Sequence, residues 1–272
     1  MSCPHCQSAS IVERRGRTVH GFRRYCCRDC RRRFNERTGT VLKRVQLPTD
    51  IVFLVVLWRL RYKLSLRDLA EMFLVRGVTF THEAVRDWEA KLAPLLADGL
   101  RKRRVGKIGR RWHADETYLR VNSRWCYLYR AIDRDGALVD VYLSETRDLA
   151  AAQAFFRSAR SVAGAEPDRV TTDGHASYPQ AIASELGATV EHRTSRYRNN
   201  LLEQDHRGIK GRCRPMRGFK AFAAADRFCR AHDEVRNFLR PVTYPAEALS
   251  LGRRRAIHLR RVAALRDLVS AA

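Results

Sequence analysis

Two cysteine pairs restrict what the start of this chain can fold into. Cys3-Pro4-His5-Cys6 and Cys27-Arg28-Asp29-Cys30 are separated by twenty residues. Paired C-x-x-C units at that separation suit a tetrahedral four-thiolate zinc site, each pair forming a knuckle that offers two sulfurs to one ion. Cys3, Cys6, Cys27 and Cys30 are therefore the candidate Zn²⁺ ligands. Cys26 could stand in for Cys27, although Cys27 preserves the knuckle. The stretch between the pairs predicts a short hairpin turning near Gly16. A module this small buries too little apolar surface to fold alone, so the metal would supply its stability. The isolated Cys126, Cys213 and Cys229 read as packing residues. Clustered rather than scattered cysteines favour a metal over disulfides and a reducing cytoplasm.

Charge restricts the partner. The chain carries 53 Lys+Arg against 29 Asp+Glu, a formal net charge of +24. Such a balance favours a polyanion, and double-stranded DNA fits better than an acidic membrane surface. No signal peptide is visible, and the longest apolar run, Ile51 to Leu57, is too short to span a bilayer. Residues 1–46 hold twelve Lys/Arg against three acids. Their clusters Arg14-Arg15, Arg23-Arg24 and Arg31-Arg32-Arg33 are candidate phosphate contacts.

Residues 47–100 read as a helical unit. Pro48-Thr49-Asp50 starts a helix through Trp58. Ser65-Leu66-Arg67-Asp68 matches a capping box, and Leu66, Leu69, Ala70 and Phe73 follow at helical spacing. Gly77 breaks that helix, and Thr81 caps a third. Helix, glycine-containing turn, helix predicts a helix-turn-helix with His82 and Arg86 on its groove-facing surface. Residues 101–110, from Arg101-Lys102-Arg103-Arg104 to Arg110, read as a basic linker.

The pattern changes at residue 111. Three strands are predicted over 112–121, 125–132 and 137–143, then a helix over 149–162. A strand over 169–172, a helix over 176–186 and a short strand over 188–190 follow, with a further helix opening near Glu203. That order is a mixed five-stranded α/β layer arrangement over 111–240. Asp115 lies on the first strand, Asp173 ends the fourth, and Glu203 sits on the helix beyond. Three such acids can converge on divalent metal ions, and Mg²⁺ prefers hard oxygen ligands. His206, Arg207 and Lys210 share the Glu203 face of that helix, while Asp205 lies about 200° round it. Glu116 points to the opposite sheet face, as a surface or supporting acid. Asp133, Asp135 and Asp140 read as turn or surface acids. A helix over 221–239 closes the core, and 241–272 reads as a basic tail.

Four stretches carry a family resemblance: Trp112 to Tyr118, Arg124 to Asp133, Thr172 to Tyr178, and Tyr197 to His206. In this order they resemble the cointegrate-forming insertion-sequence-six family of DDE transposases, in the subgroup with an N-terminal zinc ribbon. The resemblance covers roughly residues 48–240. It implies a ribonuclease-H-like catalytic core, Asp115, Asp173 and Glu203 as the Mg²⁺-binding triad, and Asn199, Asn200, His206 and Lys210 as secondary site residues. It also implies binding of terminal inverted repeats, two-metal-ion strand cleavage and strand transfer, replicative transposition, and a homodimer or higher synaptic oligomer on the nucleoid. A non-catalytic DNA-binding regulator and a structure-specific nuclease are the competing functions.

Overall fold

The computed structural model describes residues 1–195, 200–240 and 250–270. In chain order the elements are β1 (Ile11–Arg17), β2 (Arg23–Cys27), β3 (Arg33–Asn35), α1 (Thr49–Arg61), α2 (Leu66–Leu74), α3 (His82–Arg104), β4 (Arg111–Val121), β5 (Arg124–Asp133), β6 (Leu138–Ser144), α4 (Leu149–Ala163), β7 (Arg169–Thr172), α5 (Ser177–Leu186), β8 (Glu191–Thr194), α6 (Asn200–Cys213), α7 (Phe222–Leu239) and α8 (Leu251–Ser270).

The first three strands form an antiparallel sheet in the order β1-β2-β3. The expected turn near Gly16 is misplaced. Gly16 falls within β1, where the pairing register shifts between Arg14 and Arg17. The chain reverses later, at Thr18 to Phe22, closed by the Thr18 N–H donating to the Phe22 carbonyl at 2.8 Å. The buried apolar core of this sheet is four residues: Cys3, Tyr25, Cys27 and Phe34.

Three helices follow, each started by its sequence signal. Ser65 and Asp68 form a reciprocal capping box on α2, and Thr81 Oγ1 accepts from the Ala84 N–H at the start of α3. Aromatic rings lock them together. Trp58 meets Phe73 at 5.4 Å, Phe73 meets Phe80 at 5.5 Å, and Phe80 meets Trp88 at 5.0 Å.

The larger sheet has the order β6-β5-β4-β7-β8. β4, β5 and β6 are an antiparallel meander, and β7 and β8 join it in parallel. Counted within the core, this is the strand order 3-2-1-4-5 of a ribonuclease-H-like fold. The two-residue turn Asn122-Ser123, with φ of 46° and 64°, joins β4 to β5 in the left-handed geometry that matches strand twist. Alternation along β4 feeds two cores. Trp112 and Ala114 pack against α4 and α5. Leu119 and Val121 pack on the opposite face with the helices of the N-terminal half and α7.

Several expectations fail here. The last strand is Glu191–Thr194, not 188–190, because Gly187 turns the chain first and the Val190 N–H bonds back to its carbonyl. A charged edge strand of sequence Glu-His-Arg-Thr has no apolar alternation to betray it. The basic stretch from residue 101 is no free linker at its start, since Arg101 to Arg104 continue α3. Arg101 Nη1 reaches Asp140 at 2.7 Å, and Arg104 Nε reaches Glu234 at 2.9 Å. Asp140 is therefore fully buried rather than a surface acid. Asp133 is buried as well, accepting from the backbone N–H groups of Gly109, Asp135 and Ala137. In the C-terminal segment, where the sequence decides no partner, α8 buries Leu265 and Val269, and Leu268 sits against Gly99 of α3. Among the described residues, no helix is long and apolar enough to cross a membrane.

The Arg104–Glu234 pair yields a stability prediction. Its side chains are 11% and 4% exposed, so removing one partner leaves a desolvated charge. Glu234→Ala is expected to lower unfolding free energy by about 3–5 kcal/mol, read by urea titration of the two proteins.

Candidate active site and cysteine cluster

The site forms where β4 and β7 part. Their last paired residues are His113 and Thr171. Asp115 and Asp173 each lie two residues beyond, at the mouth of the split. Gly174 follows with φ +95°, and a Cβ there would come within 2.6 Å of Thr194 Cγ2, so only glycine lets the chain leave β7 beside β8. The Asp173 carboxylate accepts from the His175 N–H at 3.0 Å, and that of Asp115 from the Glu116 N–H at 2.9 Å.

Glu203 comes from α6. That helix is oriented by its other side, where Leu202 and Ile209 are fully buried. Asp205 pairs with Arg236 of α7 and lies 3.5 Å from Arg130 of β5. Arg130 in turn meets the buried Asp233 at 2.9 Å. This network turns Asp205 inward and so aims Glu203, on the opposite side of the helix, at the sheet.

Two overlapping sets of ligand atoms result, each within 4.8 Å of one another: Asp115 with Glu203 and His206, and Asp115 with Glu116 and Asp173. Asp115 is the shared member. Burial, then the charges of Glu116 and Asp173, push its carboxyl up to about 7. His206 is buried, and among the described residues its Nε2 has no hydrogen-bond partner. Burial, with the charges of Arg130 and Lys210 behind it, holds that imidazole down at about 3, so it is neutral and keeps a lone pair to offer. Crowded carboxylates beside an unsatisfied neutral imidazole are a donor set that fits a divalent cation.

Of the two alternatives for Glu116, a surface or a supporting acid, the packing favours the second. Its side chain does leave β4 on the face opposite to Asp115, but it is only 4% exposed and its carboxylate bends to the rim of the site. Tyr178 of α5 donates to it, and Arg147 pairs with it while lying 3.9 Å from Asp173. Sequence reasoning missed Arg147 and Tyr178 as site residues; Tyr178 ends the Thr-Asp-Gly-His-Ala-Ser-Tyr stretch, which was the available signal. Glu116→Gln is expected to loosen Arg147 and slow strand cleavage by roughly tenfold, the cost of about 1.4 kcal/mol, as read in single-turnover cleavage.

The remaining candidates are dispersed. Lys210 lies 4.3 Å over the Tyr118 ring, and Arg207 is exposed. Asn199 lies outside the described residues, as does the Asn200 side chain. Arg14, Arg15, Arg24, Arg31, Arg32 and Arg33 are exposed around the small sheet, and Arg23 lies 3.7 Å from Glu13. His82 lies 3.1 Å from Glu83, which also pairs with Arg86.

The four expected cysteines meet at one point. Cys3 and Cys30 sulfurs are 3.6 Å apart and those of Cys6 and Cys27 3.5 Å apart. The knuckles match, with Gln7 and Arg31, one residue beyond each pair, at φ 61° and 58°. Cys26 Sγ faces the Arg31 carbonyl at 3.8 Å and stays outside the group. The arrangement is compatible with a zinc ribbon.

Known proteins share this arrangement of sequence. A DDE domain family model matches residues 109–241. The transposase for insertion sequence-like element IS431mec of Staphylococcus aureus is 39% identical over 171 residues, covering 61% of this chain and 75% of that relative. The transposase for insertion sequence element IS257 in transposon Tn4003, also from Staphylococcus aureus, matches to the same extent. The chain belongs to the insertion-sequence-six family of DDE transposases. It is a DNA transposase, a polynucleotidyl transferase, and membership implies a divalent metal. Among solved structures, the HTLV-2 integrase catalytic core in complex with magnesium is 16% identical with a TM-score of 0.37, covering 56% of this transposase and 99% of that chain. That likeness is slight and adds nothing to the strand order.

Proposed function

We propose that this transposase binds the terminal inverted repeats of an insertion sequence and carries out replicative, cointegrate-forming strand transfer with two Mg²⁺ ions. The observation that supports it is the position of Asp115, shared between a set containing Asp173 and a set containing Glu203. Asp115, Asp173 and Glu203 are the residues that would hold the ions. Bound there, the ions would supply the charge that activates the attacking hydroxyl and stabilises the departing 3′ oxygen. The chain's own groups do the rest. The Arg130–Asp205–Arg236 network keeps Glu203 aimed, and neutral His206 stands beside it without adding charge. Arg207 and Lys210, on the Glu203 side of α6, offer cations to nearby phosphates.

DNA is brought in by the basic N-terminal half, in this reading. Cys3, Cys6, Cys27 and Cys30 would hold a Zn²⁺ ion, which would supply the stability residues 1–46 need to present their arginine clusters to the backbone. The α2–α3 pair, which carries the helical unit of 47–100 and runs on to Arg104, would set His82 and Arg86 in the groove. Element ends must be held together for transfer, so a homodimer or higher oligomer is the working form, on the nucleoid in the cytoplasm. The test incubates the protein with a labelled element end, target plasmid and Mg²⁺. Joined product is expected. Cutting without joining would indicate a nuclease, and binding without reaction a regulator.

A further inference from the structure

Beyond the acids, the end of the β4–β5 hairpin carries a groove of about 490 Å³, of whose lining the chemistry above uses Lys210 alone. Two aromatic rings stand in it unusually bare. Trp125 is 56% exposed and Tyr118 54% exposed, and they meet edge to face at 5.0 Å. Four cations surround them: Arg120, Lys210, Arg214 and Arg217. Arg120 lies 5.8 Å over the Trp125 ring and Lys210 4.3 Å over that of Tyr118. By contrast, Arg101, Arg104, Arg130 and Arg147 are each paired with a carboxylate. Among the described residues, none of these four has an ion pair with a carboxylate.

The groove is built rather than incidental. Its far wall is the turn after α6, which docks on the hairpin through the Asn122 N–H to the Phe219 carbonyl at 2.8 Å. Gly218 makes that approach possible: at φ +76°, an added Cβ would meet the Arg120 carbonyl at 3.2 Å. Position ties the groove to the acids. Tyr118 lies three residues beyond Asp115 on β4, and Lys210 seven beyond Glu203 on α6. Both offsets are roughly 10 Å, about three base steps along a DNA strand.

We propose that this groove is a stacking platform for unpaired DNA next to the cut, with bases on Trp125 and Tyr118 and phosphates on Arg120, Lys210, Arg214 and Arg217. The reasoning is geometric. A base inside a duplex has both faces covered by its neighbours, so only an unstacked base can lie flat on an exposed ring. Free cations beside the rings match the backbone of such a strand, and this combination binds single strands with little regard to sequence. The proposal rests on the transposase reading for its source of DNA: cleavage at an element end leaves terminal nucleotides free to fray.

The test uses the full chain without added Mg²⁺ and with no chelator, so that the cysteine cluster keeps its metal, and a single-stranded oligothymidylate of about 12 nucleotides, within the span such grooves cover. Of the four tryptophans, Trp88 and Trp112 are buried, Trp58 is half-buried, and Trp125 is exposed. Saturable quenching of tryptophan emission is therefore expected in the parent and lost in Trp125→Phe, which still binds. Trp125→Ala and Tyr118→Ala are each expected to weaken single-strand binding by roughly tenfold, by fluorescence anisotropy, without changing duplex binding. Both side chains are exposed, and unchanged melting temperatures will show that the variants fold. Undiminished single-strand affinity in Trp125→Ala would overturn the proposal. So would an equal loss for a duplex of the same length, which would make the groove a phosphate track only. Because no Mg²⁺ is added, a chain inactive in strand transfer still gives this result, and the two readings fail separately.

Discussion

Asp115→Asn is expected to slow strand cleavage and strand joining by about a thousandfold or more, the equivalent of several kcal/mol of lost transition-state stabilisation, while element ends still bind. Asn has the volume of Asp and keeps an oxygen for the Glu116 N–H, so the local backbone is undisturbed. What goes is the charge at the one position common to both ligand sets. Removing it also relieves repulsion among Asp115, Glu116, Asp173 and Glu203, so the melting temperature in chelator should not fall. This pairing of near-total inactivity with intact stability separates a catalytic loss from a folding loss. Asp173→Asn and Glu203→Gln are expected to behave alike. Single-turnover cleavage of a labelled end, with end binding measured alongside, decides it. A rate within tenfold of the parent for any of the three would remove that residue from the ion-holding set.

The second large effect is expected at the other end of the chain. Cys27→Ser, or stripping of metal by a strong chelator, is expected to unfold residues 1–46 while the rest of the protein stays folded. The buried apolar core of the small sheet is Cys3, Tyr25, Cys27 and Phe34, two of which belong to the four-cysteine cluster proposed to hold zinc. Two aromatic side chains supply only a few kcal/mol of burial, against about 10–16 kcal/mol of apparent zinc affinity for a structural site. The backbone amides of Cys30 and Asp29 already hold the Cys27 thiol down at about 7, which favours the thiolate that a metal needs. Trypsin should then cut among Arg14 to Arg33, and end binding should weaken by roughly tenfold or more as ordered phosphate contacts are lost. Cys26→Ser serves as the control and should change neither. A Cys27→Ser protein that retains one equivalent of zinc and resists trypsin would sink the assignment.

What the residues announced by themselves was local. The C-x-x-C spacing, the Ser65 and Thr81 caps and the alternation along β4 each depend on neighbours a few positions away. Asp115, Asp173 and Glu203 were nameable because each sits in a distinctive short stretch at a predictable point of a strand or helix. The tertiary structure decided the rest through contacts between distant residues. Arg101 and Arg104 look like a solvated linker until Asp140 and Glu234 arrive, 39 and 130 residues away. Glu116 looked peripheral because alternation sends it to the opposite face, yet only the packing of α5 and Arg147 against that face shows its carboxylate turning back to the site. Trp125 and Tyr118 would pass for core residues on any strand; that both stay more than half exposed at the hairpin end is a fact of layer packing. Periodicity fixes which way a side chain leaves its own element. Whether it meets an ion pair, a metal set or open solvent is fixed by what other elements bring to that place.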